Sequence, residues 1–276
     1  MKKLGTAALT LALAGAMAVP AFAAENLVIS PNPNAYSTAI TLNGEALDTT
    51  GIPAASRPDL LPMRLVAEAD HGSAYWDQEN NEGWFQFGEG RIVVQFEANT
   101  ILVNDVAVNT TAEVHNGVTY IPAAVLEGLE GFTATVSDDT VTITTPNNDP
   151  MVKLAYSIMD NSGMFGSRTY EDMLTDAYQI PADQFEQIVA FFPMITSPDT
   201  IIVGKLSDGA DEKAVTDALE AYRQRQEDTF SWYLSQHLPK VQDARTVIED
   251  GYVFFFIGEK ADEAEQMFRD YVAAQA

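Results

Sequence analysis

The sequence predicts an α+β chain in two parts. The first is an N-terminal β-rich duplicated domain with two short helices. The second is a C-terminal α+β domain whose antiparallel sheet is covered by helices. Three observations predict this. A strand–proline–helix pattern occurs twice, about sixty residues apart. The run Thr145-Pro146-Asn147-Asn148-Asp149-Pro150 separates short strands from longer helices. Asp250-Gly251 lies between two β-branched and aromatic runs, a strong hairpin signal.

Taken in order, residues 1–23 read as a secretory signal peptide. Lys2 and Lys3 form the positive start, and Leu4 to Val19 is small and apolar. Ala21 and Ala23 are the small residues that predict cleavage after Ala23. The alternative, a transmembrane anchor, is disfavoured because the stretch is short, rich in Ala and Gly, and broken by Pro20. No Cys at the cleavage point calls for a lipid anchor. Residues 24–39 form a lead-in containing Ser30-Pro31-Asn32-Pro33-Asn34.

Residues 40–145 hold the repeat. The first copy reads Ile40-Thr41-Leu42-Asn43-Gly44-Glu45, Leu61-Pro62-Met63-Arg64-Leu65-Val66-Ala67-Glu68 and Tyr75-Trp76-Asp77. The second reads Ile101-Leu102-Val103-Asn104-Asp105-Val106, Tyr120-Ile121-Pro122-Ala123-Ala124-Val125-Leu126-Glu127 and Thr135-Val136-Ser137-Asp138. Asparagine to proline is 19 residues in one copy and 18 in the other, and proline to the later strand is 14 in both. Each proline suits the first position of a helix, where a fixed φ helps and no N–H is needed. Each helix is only about two turns long and must be held by packing. Trp76 is expected in the core.

Residues 146–150 read as a linker and residues 151–276 as the second domain. Met151, Leu154, Ala155, Ile158 and Met159 share one helical face. A polar helix is expected near Tyr170 to Tyr178. Ile188 to Phe192 and Thr200 to Val203 read as buried strands. The longest helix runs from Asp211 to about Leu238, with Pro239 as its stop. Thr246 to Ile248 and Tyr252 to Ile257 flank the Asp250-Gly251 turn. The last helix carries Ala264, Met267, Phe268, Tyr271 and Val272 at helical spacing. Both of these helices are expected on one face of the sheet.

The chain has 15 basic and 40 acidic residues, and without Lys2 and Lys3 the formal charge is −27. Such a surface repels phosphates and anionic headgroups, which argues against nucleic acid and against membrane insertion after signal cleavage. The absence of Cys excludes disulfides, thiolate metal sites and a cysteine nucleophile.

Candidate chemistry is sparse. No Gly-x-Ser-x-Gly elbow or phosphate-binding glycine loop occurs. Asp208-Gly209-Ala210-Asp211-Glu212 lacks the spacing of a calcium loop and reads as a turn and helix start, as does Asp138-Asp139. Whether surface carboxylates take calcium is left open. Glu68 and Glu127 fall in corresponding stretches, which points to structure, such as an Arg64–Glu68 pair. The most unusual run is Phe230 to Lys240, where aromatics, an imidazole and a lysine cluster at a helix end. Trp232, Tyr233, His237, Lys240 and Arg245 form the candidate ligand-binding edge. The competing and favoured reading puts Phe230, Tyr233 and Leu234 in the core and Trp232 half-buried, with Lys240 offsetting the helix C-terminal charge.

The duplicated segment, carried by Leu42-Asn43-Gly44, Leu61 to Glu68 and Trp76-Asp77, resembles the copper amine oxidase N-terminal-like domain, also called a stalk domain. The resemblance implies a β-rich, non-catalytic module. The second copy has Ala124 where the family usually repeats the arginine, which implies a looser second helix. Residues 156–271 resemble a bacterial family of unknown function, DUF4358, through Ala177-Tyr178-Gln179-Ile180, Phe192-Pro193-Met194, Tyr233 to Lys240 and Gly251 to Phe256. Copper chemistry does not follow. His71, His115 and His237 are scattered, with no His-x-His pair and no Asn-Tyr dipeptide.

The reading is thus a secreted, non-enzymatic binding or scaffold protein of the bacterial envelope or exterior, with no cofactor and no metal. Cell-wall polysaccharide and envelope proteins are the partner classes it implies. An extracellular enzyme with its site in the C-terminal domain, and a structural spacer, are the alternatives.

Overall fold

A computed structural model describes residues 34–275 apart from Tyr170, Met194 and Ile195. The expected signal peptide and most of the lead-in lie outside the described residues.

β1 (Ala39–Leu42) turns through Asn43-Gly44 into β2 (Glu45–Ala46). Both turn residues have positive φ, 52° and 91°, as the tight primed turn of a hairpin requires. β3 (Leu60–Pro62) leads into α1 (Met63–Ala69). Next come β4 (Ser73–Asp77), β5 (Glu82–Phe87), β6 (Gly90–Gln95), β7 (Thr100–Val103) and β8 (Val106–Val108). These five form an antiparallel meander with β4 and β8 at its edges. β9 (Glu113–His115) and β10 (Val118–Pro122) join β3, and a 3-10 helix, Ala123–Gly128, follows. β11 (Thr133–Ser137) and β12 (Thr140–Thr144) close the domain, because β12 pairs in parallel with β1.

The duplication is visible in the pairing. β3 and β10 run antiparallel with Leu61 opposite Ile121, the residues that precede the two repeat prolines. Tyr120 faces Pro62 and Pro122 faces Leu60, so the two copies meet about a local twofold. Both copies feed one core that includes Ile40, Leu61, Met63, Val66, Ile101, Tyr120, Ile121, Leu126 and Val141. Two details differ from expectation. Each proline ends a strand and stands at the N-cap, not inside the first turn. The second helix is 3-10 rather than α.

In the C-terminal part, α2 (Pro150–Ser162) starts from Asp149, whose carboxylate accepts from the Met151 and Val152 N–H groups. β13 (Gly166–Thr169), which the sequence did not reveal, precedes α3 (Glu171–Tyr178). β14 (Phe185–Pro193), β15 (Thr200–Leu206), α4 (Glu212–Trp232), α5 (Leu238–Gln242), β16 (Arg245–Glu249), β17 (Tyr252–Ile257) and α6 (Ala261–Ala273) follow. The sheet order is β13-β14-β15-β17-β16, antiparallel throughout. Asp250-Gly251 makes the expected hairpin, both residues at positive φ.

The helices do not share a face. α6 packs with α2 against Phe254 and Phe256, through Ala264, Phe268 and Val272. α4 packs against Val253, Phe255 and Ile257 on the other side, through Val215, Leu219, Tyr222 and Phe230. The reason lies in β17 itself. Its run Tyr-Val-Phe-Phe-Phe-Ile lacks the apolar–polar alternation of a half-solvated strand, so both faces need cover. Pro239 also differs from expectation. α4 ends at Trp232, and Pro239 sits in the first turn of α5, where proline is well tolerated.

Because both faces of β17 are buried, Phe254→Ala and Phe255→Ala should each cost about 3–5 kcal/mol in urea denaturation. A near-neutral result for either would mean that one face is open.

Candidate functional site

Three places combine accessible chemistry with a defined geometry. The first is the edge singled out in the sequence. Trp232 is 94% exposed at the end of α4, and Tyr233 is 67% exposed. Neither packs as expected. Only Phe230 is core, with Leu234 partly buried against it. The chain leaves the helix at Tyr233 in an extended conformation, and Leu234 takes positive φ, 61°. That reversal turns Leu234 inward and leaves the two aromatics outside. His237 meets Phe230 edge-on at 5.9 Å. Lys240 Nζ lies 3.1 Å from Asp199 and 3.4 Å from Glu259. Arg245 pairs with Asp243 at 2.7 Å, Asp262 at 2.8 Å and Glu265 at 3.4 Å. Asp262 and Asp243 raise its pKa above the usual guanidinium value. The structure therefore keeps both cations engaged with carboxylates and offers Trp232 and Tyr233 to solvent.

The second place is a groove of about 350 Å³ between α1 and β4. Trp76, expected in the core, is 49% exposed beside it. β4 is an edge strand, and the residue opposite Trp76 is Gly83, which has no side chain to cover the indole. A Cβ on Gly83 would lie 3.3 Å from the Phe96 ring, a tight contact. Phe96 supports Trp76 at 5.2 Å in a tilted pair. Arg64 Nη1 donates to Glu68 at 3.0 Å, the expected pair, and to the Ala74 carbonyl at 3.1 Å. The second copy has no equivalent. Ala124 stands for Arg64, and Val136 for Trp76. Glu127 falls five residues after its proline, whereas Glu68 falls six, so the two are not true counterparts. Glu127 is exposed and forms no ion pair among the described residues.

The third place is the junction of the two modules, beside a cleft of about 480 Å³ lined by Asp70, Phe87, Asn104, Phe132, Asn147 and Arg168. Asp70 is 3% exposed. Its carboxylate accepts from Thr145 Oγ1 at 2.7 Å and Asn43 Nδ2 at 3.1 Å. Asn43 Nδ2 also reaches Thr145 Oγ1 at 2.9 Å, and Asn43 Oδ1 accepts from the Thr145 N–H at 2.9 Å. Asn147 Nδ2 donates to the Asp70 carbonyl at 2.8 Å. Burial raises the Asp70 carboxyl above its usual 3.8, against the pull of its hydrogen bonds from Thr145, Asn147 and Asn43. Next to it, His71 follows the end of α1 at positive φ, 58°, and stacks on Tyr156 of α2 at 3.6 Å. Tyr156 in turn meets Phe191 of β14 edge-on at 4.9 Å. Lys153 Nζ donates to the Asn43 carbonyl at 3.0 Å and to Asn148 at 2.7 Å. Partial burial lowers the pKa of His71, with Asp160 opposing. This carboxylate and this imidazole hold elements together, and their polar neighbours come from distant parts of the chain.

The three histidines occupy separate settings. His71 is at the junction, His115 pairs with Glu113 at 3.0 Å, and His237 lies against Phe230. Among the described residues no three His, Asp or Glu side chains gather as a metal site. No described helix is long and apolar enough to cross a membrane.

Residues 41–145 match a family model described as the copper amine oxidase N-terminal domain. Residues 160–258 match one described as a domain of unknown function, DUF4358. No curated protein matches the chain. The two matches follow the order expected from the motifs. They fit a scaffold-type protein in which a stalk-like module precedes one of unassigned chemistry.

Asp70 predicts a pH signature. Because its folded pKa is raised, the folded state binds the proton more readily than the unfolded chain. Its contribution to stability therefore falls as pH rises from 3.8 through the folded value. Asp70→Asn keeps an oxygen acceptor and loses this titration. Its stability relative to wild type should rise as pH climbs from 3.8 through the folded value in urea denaturation. Asp70→Ala should be the less stable variant by about 1–3 kcal/mol, since it orphans two donors. A flat Asn-minus-wild-type difference would contradict the assignment.

Proposed function

We propose that the protein is a secreted, non-catalytic binding or scaffold protein of the bacterial cell envelope or exterior, released by cleavage after Ala23. Its partners are cell-wall polysaccharide or envelope proteins. One observation carries the reading. Large aromatic side chains face solvent, Trp232, Tyr233 and Phe165 foremost, while the buried carboxylate at the junction is engaged in structural hydrogen bonds. Exposed apolar groups on a chain this acidic are where contact gains most from leaving water. The signal-like first 23 residues support an extracytoplasmic site of action, and the stalk-like match supports a presenting role.

In this reading Trp232 and Tyr233 form the leading contact, and the ion-paired Lys240 and Arg245 hold the scaffold beneath them. Co-sedimentation of the whole protein with purified cell envelopes tests it. Wild type should pellet with the envelopes. Trp232→Ala combined with Tyr233→Ala should weaken the association by about 2 kcal/mol or more. Lys240→Ala should act mainly through lost stability, seen in its melting temperature. Envelopes that retain the double variant as well as wild type would remove this edge. Turnover of an envelope component by the pure protein would overturn the non-catalytic reading.

A further inference from the structure

We propose that the Trp76 groove is a binding site for a neutral glycan, with one sugar ring stacked on the indole and its hydroxyls bonded to Arg64 and Glu68. This rests on the reading of the chain as an envelope-binding protein and names the chemistry of one partner.

Four observations lead here. The groove is about 350 Å³, within the span of roughly 300–1,000 Å³ usual for small-molecule sites. Its lining includes the apolar Leu65, Phe85 and Trp76 and the polar Arg64, Glu68 and Thr119. A sugar ring has the matching character. Its C–H face is apolar and weakly positive, which suits the negative face of an indole. Its equatorial hydroxyls can donate to a carboxylate and accept from a guanidinium.

Second, the aromatic and the ion pair occur in the first copy and have no counterpart in the second. The second copy builds the same strand–proline–helix frame with Ala124 and Val136 in place of Arg64 and Trp76. The copy that has the aromatic also has the ion pair beside it. A half-exposed tryptophan would otherwise be a liability at a sheet edge.

Third, the groove's own charges are balanced. Arg64 and Glu68 already neutralise each other at 3.0 Å. Neither an anionic polymer nor a cationic peptide finds an uncompensated countercharge there, and the overall charge of −25 repels the former. Fourth, one acceptor of the β4 backbone edge is already engaged. Arg64 occupies the Ala74 carbonyl of β4, which an added strand would need.

Calorimetric titration of the full-length protein with cellotetraose, chitotetraose and maltotetraose tests the site. At least one should bind with Kd of about 1 mM or tighter. Trp76→Ala should weaken that binding at least about tenfold, with Trp76→Phe recovering part of it. Arg64→Ala should also weaken it, while Val106→Ala, exposed on β8 at the far edge of the meander, should leave it unchanged. Should Trp76→Ala melt early, Trp76→Phe and Arg64→Ala carry the test. Binding that survives both Trp76→Ala and Arg64→Ala overturns the proposal. So does the failure of all three sugars, and so does Trp76-dependent binding of a lysine-rich peptide in their place. If no sugar binds but envelopes still pellet the wild type, the groove assignment fails alone. If neither occurs, the envelope-binding reading fails with it.

Discussion

The buried hydrogen-bond knot of Asn43, Asp70 and Thr145 is the constraint on which the architecture depends. These residues lie 27, 75 and 102 positions apart along the chain. They sit at the end of β1, the end of α1 and just past β12. A buried carboxylate is costly unless donors surround it. Here the donors come from the first turn of the repeat and from the residue just past its last strand, so the carboxylate is satisfied only when the domain has closed. Asn104, the counterpart of Asn43, shows the same device in simpler form. Its N–H donates to the Arg91 carbonyl and its side-chain oxygen accepts from the Arg91 N–H, both at 2.9 Å. Duplication thus supplied two asparagine clasps. In the first copy the clasp also holds Asp70 and lies where the second module begins.

The segment after the knot is ordered by it. Thr145 receives the Asn147 N–H at 3.2 Å, Asn147 bonds Asp70, and Asp149 caps α2. The stretch that reads as a linker, with its two prolines, is therefore a short 3-10 helix feeding directly into α2. The His71–Tyr156 stack then continues the contact from α1 to the C-terminal sheet through Phe191. A histidine at a position that usually favours glycine is conformationally costly, and that stack offsets the cost. A presenting role needs such a junction, because a free tether would not fix where Trp232 and Tyr233 point.

Much of the fold was legible in local sequence. The Asp250-Gly251 hairpin, α2, α6, the paired prolines and the core stripe of α4 all follow from turn chemistry and periodicity. What was not legible depends on neighbours distant in sequence. Trp76 read as core because tryptophan in a strand usually is. Its exposure comes from an edge position and from Gly83 on the next strand. Tyr233, read as core together with Leu234, is exposed because Leu234 at positive φ reverses the chain. Helix placement on both faces could have been inferred from the unbroken apolar run of β17. The knot could not, since it joins residues up to 102 positions apart with no motif of its own. Of the predicted edge, the aromatic pair is exposed together, while Lys240 and Arg245 are drawn into carboxylate clusters that composition alone could not locate.

The knot and the stacked rings should make the two modules one rigid unit. Backbone ¹⁵N relaxation on the whole protein tests this most directly. Residues 40–145 and 151–275 should share a single rotational diffusion tensor, which splits when Asp70→Ala is combined with Tyr156→Ala. Two independent tensors in the wild-type protein would contradict it.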